Sequence, residues 1–451
     1  MAKTKNMIEG SPLKLILQFA TPLLLGNLFQ QTYNMVDAAI VGQTLGSSAL
    51  AAVGSTSSVQ FLILGFCMGS CTGFSVPVAQ RFGAQDYKEM HLYEYTAAVW
   101  SVIIAVVLTA ATVLLCPTIL NLLKVPETIY SMAYNYLTIL FIGIPCTILY
   151  NLLSGFLRAI GDSKTPFMFL AFSSVLNIFL DFFCILVLKW GVSGAAIATI
   201  FSQGVSGLLC LGLIAKKVKT LHIGKEDRQL TGERSKKLLN LALPMGLNFS
   251  ITAIGSMVMQ SANNSLGTVC VSGFAAGAKL KQFMLCPFTA TATAVSTFAS
   301  QNYGAGKPDR VRRGFFIGGC IALVYGVCAG LIMAVFGRYL SMMFVSADAA
   351  DVLDASALYL KRMGMFWFVL GFLDLFRTGL QGLGYSKRSM FAGVVEMVAR
   401  VSVATIFVPK FGYDAITFCD QAAWSCGVIY LIPIFIWSMK QMYKETETTI
   451  A

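Results

Sequence analysis

Two carboxylates sit where the surrounding sequence is almost wholly apolar. Asp37 closes the stretch Gln30-Gln-Thr-Tyr-Asn-Met-Val-Asp37, and helical spacing puts Gln30, Tyr33, Asn34 and Asp37 on one face. Asp181 closes Asn177-Ile-Phe-Leu-Asp181, with the amide one turn ahead of the carboxylate. Thr199, in the next apolar stretch, offers a hydroxyl. Two acids, an amide and a hydroxyl are oxygen donors of the kind a hard cation such as Na⁺ takes. The same acids can instead hold a proton, because neighbouring carboxylates resist ionising together. The residue types leave both ions open. At the middle of a membrane helix a carboxylate costs about 2.5–3.5 kcal/mol, so such residues face protein or water and mark ion pathways.

The elements that carry these residues follow from composition. Only 12% of the 451 residues are charged and 56% are hydrophobic. An ordinary soluble protein has roughly 25% charged residues, so this chain is expected to be integral to a membrane. Apolar runs such as 100–115 and 321–336 are long and unbroken, which favours helices over the short alternating segments of a β-barrel. Twelve spans are expected, near 13–40, 48–78, 92–115, 129–153, 165–188 and 192–214, then 238–262, 268–299, 312–337, 353–379, 388–409 and 415–438. Pro22 lies about four turns from Asp37 in the first span and can bend that helix without loss of the fold. The stretch 216–237 is the one substantial polar linker, with eight Lys and Arg.

The chain has 33 Lys and Arg against 21 Asp and Glu, a net charge of +12. Nucleic-acid binding is not needed to explain the excess. Most basic residues fall in one set of alternate loops, while the other set carries little beyond Lys124, Lys189, Arg338 and Lys410. That bias marks the cytoplasmic side and predicts both termini there. Twelve cysteines lie mostly in apolar runs and form no CxxC pair, so they read as small hydrophobes. With two histidines, no HExxH and no phosphate-binding GxxxxGK[ST], neither a zinc site nor an enzyme is expected. No resident cofactor is expected either.

An internal repeat divides the chain. Gln80, Gly83 and Ala84 recur as Gln301, Gly304 and Ala305, and Gly161 and Lys164 recur as Gly384 and Lys387. Pro22 pairs with Pro244. The organisation expected is an N-terminal six-helix lobe over 1–215, a basic cytoplasmic linker over 216–237 and a C-terminal six-helix lobe over 238–451. Six spans per half give both halves one orientation, so two bundles can rock to expose a central cavity to either side. Gln30, Tyr33 and Asn34, with Tyr136 and Asn151, are the expected lining of that cavity. The second half lacks matching acids: Asn177 aligns with Arg400, and Asp37 aligns near Met259 and Gln260. It carries Glu396 and Arg400 at i, i+4 instead, a pair expected to form an internal salt bridge, as are Asp374 and Arg377. Lys279, Lys281 and Asp420 are further charged candidates. Gly65, Gly69 and Gly73 recur every four residues and suit close helix packing.

Taken in order, Phe19-Ala-Thr-Pro22, Asp37, Ala51-Ala-Val-Gly54, the Gln80/Gly83-Ala84 turn, Arg158-Ala-Ile-Gly-Asp162 and Gln301-Asn-Tyr-Gly-Ala305 resemble the multidrug and toxic compound extrusion (MATE) family over nearly the whole chain. Within it, the Asp37 and Asp181 stretches resemble the prokaryotic branch named for DNA-damage-inducible protein F. The resemblance implies an all-α polytopic membrane protein, with twelve transmembrane helices in two pseudo-symmetric six-helix bundles. It implies an antiporter in a bacterial cell membrane that exports amphipathic, often cationic, organic compounds in exchange for Na⁺ or H⁺. It further implies that Asp37, Asp181, Asn177 and Thr199 form the coupling site and that the first helix bends at Pro22. A single copy in the lipid bilayer suffices. Relatives often place an acid two residues after the position of Lys279, where this chain has Lys281. The alternative from the same superfamily is a flippase for a lipid-linked precursor.

Overall fold

The computed structural model describes residues 6–450. Lys3 and Lys5, which enter the charge bias above, lie outside the described residues. Fifteen α-helices account for nearly all of it: α1 (Pro12–Leu45), α2 (Ser47–Gly83), α3 (Tyr87–Leu122), α4 (Glu127–Ile142), α5 (Ile144–Ala159), α6 (Lys164–Phe182), α7 (Val192–Lys217), α8 (Gly232–Asn264), α9 (Thr268–Gly304), α10 (Pro308–Ser341), α11 (Ala350–Met365), α12 (Trp367–Gly382), α13 (Ser386–Ser402), α14 (Val408–Phe411) and α15 (Tyr413–Ile450). Ten helical stretches are long and apolar enough to cross a bilayer, and two bent helix pairs bring the total to twelve spans. The helices leave large apolar side chains such as Val106, Leu114, Phe316 and Val335 more than half exposed. Outward apolar faces of this kind need lipid around them.

The two bent pairs are expected spans that the structure breaks in the middle. The runs 129–153 and 353–379 read as single spans, yet α4 meets α5 at 43° and α11 meets α12 at 56°. At the first break Pro145 has no N–H to give, and the new helix starts from the Gly143 carbonyl, which accepts from Cys146 and Thr147 at 2.9 and 3.2 Å. The second break, at Phe366, has no proline. Nearby, Gly330 and Gly364 face each other so closely that a Cβ on either would lie 2.3–2.4 Å from the other's carbonyl oxygen.

The chain forms two compact units. One comprises Leu25–Gly246, and the other joins Met7–Leu24 to the residues from Leu247 onward. The division therefore passes through α1, two residues after Pro22, and through α8. In the first unit Phe74, Leu137, Phe141, Ile144 and Leu157 are wholly buried in one core. There α2 packs on the start of α8 through Gly69 and Gly73, whose added Cβ atoms would fall 2.5 Å from Met245 O and Ala242 Cα. The packing role read from the glycine spacing therefore holds for these two. The second unit is built around Trp367, whose ring meets Phe288 at 5.6 Å and Trp424 at 5.8 Å. Its N-terminal segment is tied down by Arg310, which donates to the carbonyls of Met7 and Gly10 at 3.0 Å.

The polar linker is less free than its composition suggests. Its last part already belongs to α8, and Arg234 forms a 2.8 Å ion pair with Glu89 at the start of α3. The His91 ring stands 2.9 Å from the Thr220 carbonyl. The repeat is also written in the backbone. Left-handed residues recur at matching places, Gly46 with Gly267, Gln85 with Gly306, Gly161 with Gly384 and Gly191 with Gly412. After α2 and α9 the turn closes identically: Asp86 N–H donates to Arg81 O and Lys307 N–H to Asn302 O, at 3.0 and 2.9 Å. These six-residue closures need the left-handed residue that Gln85 and Gly306 supply.

Candidate functional site

The second half of α1 is seated by small-to-large packing. Gly26 lets Phe167 and Leu170 of α6 come within 3.5–3.6 Å of where a Cβ would be, and the Phe29 and Phe167 rings lie 6.0 Å apart. Further along, Ile40 and Val41 enter a buried cluster with Tyr136 and Leu140 of α4 and Ala195 of α7, together with Ile185 just beyond α6. Four elements thus converge where Asp37 projects.

This packing brings Asp37 and Asp181 together. Their carboxyl groups are neighbours, and Tyr33 and Tyr136 lie within electrostatic reach of both. Gln30 stands beside Tyr33. Gln60 of α2 stands beside Tyr136. Sequence reasoning missed Gln60, although it is a polar residue inside an apolar run. Asp181 is fully buried and Asn177 is 2% exposed. Both carboxylate oxygens of Asp181, both amide atoms of Asn177 and Oδ1 of Asp37 are enclosed without a hydrogen-bond partner in the protein. An unsatisfied buried polar group costs about 1–3 kcal/mol, and more when charged. A cluster of such oxygens is therefore chemically suited to a small cation or to protons, either of which would satisfy it.

The other expected members stand differently. The Thr199 hydroxyl donates to the Ala195 carbonyl within α7 at 3.0 Å, which leaves its oxygen lone pairs free to accept or to ligate. The Asn151 amide donates to the Thr147 carbonyl of its own helix at 2.8 Å. Asn34 is exposed. The helix bearing Asn177 and Asp181 continues directly into a π-helical turn, Phe183–Val187. A matching π turn, Val403–Phe407, follows Arg400 in the second half. Such turns are frequent at functional sites and leave no mark in hydropathy.

The buried charges of the second unit form two ion-pair clusters. Arg377 of α12 pairs with Asp374 one turn before it, as expected, and also reaches Glu396 of α13 at 3.1 Å. The expected Glu396–Arg400 pair is not made. Arg400 turns instead to Asp420 of α15 at 2.9 Å, and Asp420 also takes Lys281 of α9 at 2.5 Å and the Tyr359 hydroxyl at 3.1 Å. Spacing of i, i+4 placed Glu396 and Arg400 on one face, but a partner on the facing helix bonded each of them more directly. Lys279 is exposed, 5.6 Å from the Phe344 ring centroid.

Comparison with known proteins bears on the fold and the family. The MatE family pattern matches residues 22–183 and 244–406, the two halves of the repeat. A Bacillus subtilis protein named "Probable multidrug resistance protein YpnP" is 34% identical over 370 residues, 82% of each chain. A Shewanella oneidensis protein named "FAD transporter" is 24% identical over 88% of each chain. Among solved structures, the outward-facing conformation of a multidrug resistance MATE family transporter superposes with a TM-score of 0.90 at 23% identity, over 97% of each chain. The match spans both halves of the repeat and carries the twelve-span fold with it, and on that ground this chain belongs to the MATE family of membrane transporters.

Proposed function

We propose that this protein is a secondary active efflux antiporter that exports amphipathic, often cationic, organic compounds in exchange for Na⁺ or H⁺. The observation that carries the reading is the Asp37–Asp181–Asn177 cluster, in which both Asp181 oxygens, the Asn177 amide and Oδ1 of Asp37 are enclosed without a partner in the protein. The relatives named for multidrug resistance support the substrate class. In this reading the ion enters Asp37 and Asp181 from outside, with Thr199 as a further ligand, and its arrival favours release of the exported compound. Gln30, Tyr33, Asn34, Tyr136 and Asn151 meet that compound, and Pro22 lets α1 bend between the two states. A ligand shifts such an equilibrium only as far as it binds one state better than the other. Each net charge moved inward per cycle through 100 mV supplies about 2.3 kcal/mol, enough for a gradient of roughly forty- to fifty-fold of a neutral compound, whereas one-for-one exchange with a monovalent cation moves no net charge and draws on the ion's concentration gradient alone. The protein acts as a monomer in the bacterial cell membrane with both termini in the cytoplasm, and the chemistry needs no cofactor or covalent step.

The test uses proteoliposomes loaded with a fluorescent organic cation. Efflux driven by an inward Na⁺ or H⁺ gradient supports the antiporter and identifies its ion. If neither gradient drives efflux, the reading fails and transfer of a lipid-linked precursor becomes the function to test.

A further inference from the structure

Six ionisable side chains lie in two ion-pair clusters of the second unit, and the two most exposed of them are cations. The carboxylates of Asp374, Glu396 and Asp420 are 7%, 3% and 2% exposed. Among the cations, Arg400 is enclosed at 4%, but Lys281 keeps 20% and Arg377 keeps 16%. The six are neutral as a whole, yet in each cluster the most exposed member is a cation, Lys281 over Asp420 and Arg377 over Asp374 and Glu396. Donors also outnumber acceptors at one end. Lys281 and Arg400 together carry eight N–H donors, and the carboxylate they share is Asp420. Asp420 additionally accepts from Tyr359, so its oxygens are well used without Lys281. Arg400 Nη1 is enclosed and has no acceptor at all; it points to Gly255 of α8, where a Cβ would lie 3.4 Å away. Beside Lys281 lies a flat apolar surface, the Trp424 ring, 5.4 Å from Nζ to its centroid.

We propose that Lys281 and Arg400 form a binding site for an anionic group, a phosphate, sulfonate or carboxylate, carried on an amphipathic molecule whose apolar part lies against Trp424. On binding, the anion takes Lys281 Nζ, while Arg400 and Tyr359 keep Asp420 in place. The site therefore selects for negative charge in the second unit, whereas the acid pair at Asp37 and Asp181 belongs to the first. Its role in handling an exported compound rests on the transport reading. Its test is binding alone, so it stands or falls separately from gradient-driven efflux.

The probes are riboflavin and riboflavin 5′-phosphate, which differ by one phosphate, and tetraphenylphosphonium as a cationic control. Affinities are measured by titration calorimetry on the full chain in phosphatidylcholine nanodiscs. The phosphate is expected to improve binding at least tenfold in the wild type. Lys281→Met should cut that advantage below threefold and leave tetraphenylphosphonium binding no weaker, and Asp420→Asn should enlarge it. Equal binding of the two flavins by the wild type overturns the proposal, and this arm needs no variant to fold. So does an advantage that survives Lys281→Met. Adding phosphatidylglycerol distinguishes the sources: loss of flavin phosphate binding assigns the site to a lipid headgroup, and its retention assigns it to a soluble amphiphile.

Discussion

Replacing Asp181 by Asn separates the ion site from the fold. Asp181 is fully buried, its two oxygens have no partner in the protein, and the carboxyl of Asp37 is its neighbour. The amide is nearly isosteric and carries no charge, so Asp181→Asn lowers the burden of about 2.5–3.5 kcal/mol that an ionised mid-membrane acid imposes, leaving only that of an unpartnered amide. The variant should therefore fold at least as well as the wild type. What it loses is the response to the ion. A ligand at a hundredfold above its dissociation constant stabilises the folded state by about 2.7 kcal/mol. For a folding unit the size of Leu25–Gly246, each kcal/mol moves the midpoint by about 2–4 °C. The wild type in detergent should gain about 5–10 °C between ion-poor and ion-saturated buffer, in either a Na⁺ or a pH series, and Asp181→Asn should gain less than about 2 °C. The assay is thermal unfolding followed by tryptophan fluorescence. An equal ion-dependent gain in variant and wild type refutes the reasoning, because the ion would then bind elsewhere.

Other expectations follow from packing and charge. Arg377→Met strands Asp374 and Glu396, both more than nine-tenths buried, without their shared cation. That should cost about 3–5 kcal/mol, measured as a lower detergent unfolding midpoint. Gly73→Leu places new carbon 2.5 Å from the Ala242 Cα, so α2 and α8 must part. A loss of about 1–3 kcal/mol is expected in the same assay. Arg234→Gln is the contrasting case: its pair with Glu89 is 20% and 32% exposed, and the change should cost no more than about 1 kcal/mol.

The sequence disclosed those features that membrane physics writes into composition. Lipid demands apolar runs of span length, and loops near the cytoplasm accumulate Lys and Arg, so the span count and the repeat were open to reading. Asp37 and Asp181 stood out because a charge in an apolar run is costly. What stayed hidden depends on which surfaces meet. The breaks at Gly143 and Phe366 leave hydropathy unchanged, although Pro145 was a signal for the first. The π turns after Phe182 and Ser402 alter hydrogen bonding, not polarity. The partners of Glu396 and Arg400 were misassigned because a helix period fixes a face and says nothing of the helix opposite. Gln60 was overlooked because its neighbour Tyr136 lies far away in the chain.

Coupling of an inward ion gradient to efflux by the acid pair is the core of the proposed function. Its most direct test compares wild type with Asp37→Asn in proteoliposomes, measuring both gradient-driven efflux and passive exchange of the same organic cation. Coupling at the acid pair requires that Asp37→Asn abolish accumulation against a gradient while substrate exchange persists. A variant that drives efflux as well as the wild type would contradict it, and the charges around Asp420 would then have to carry the coupling.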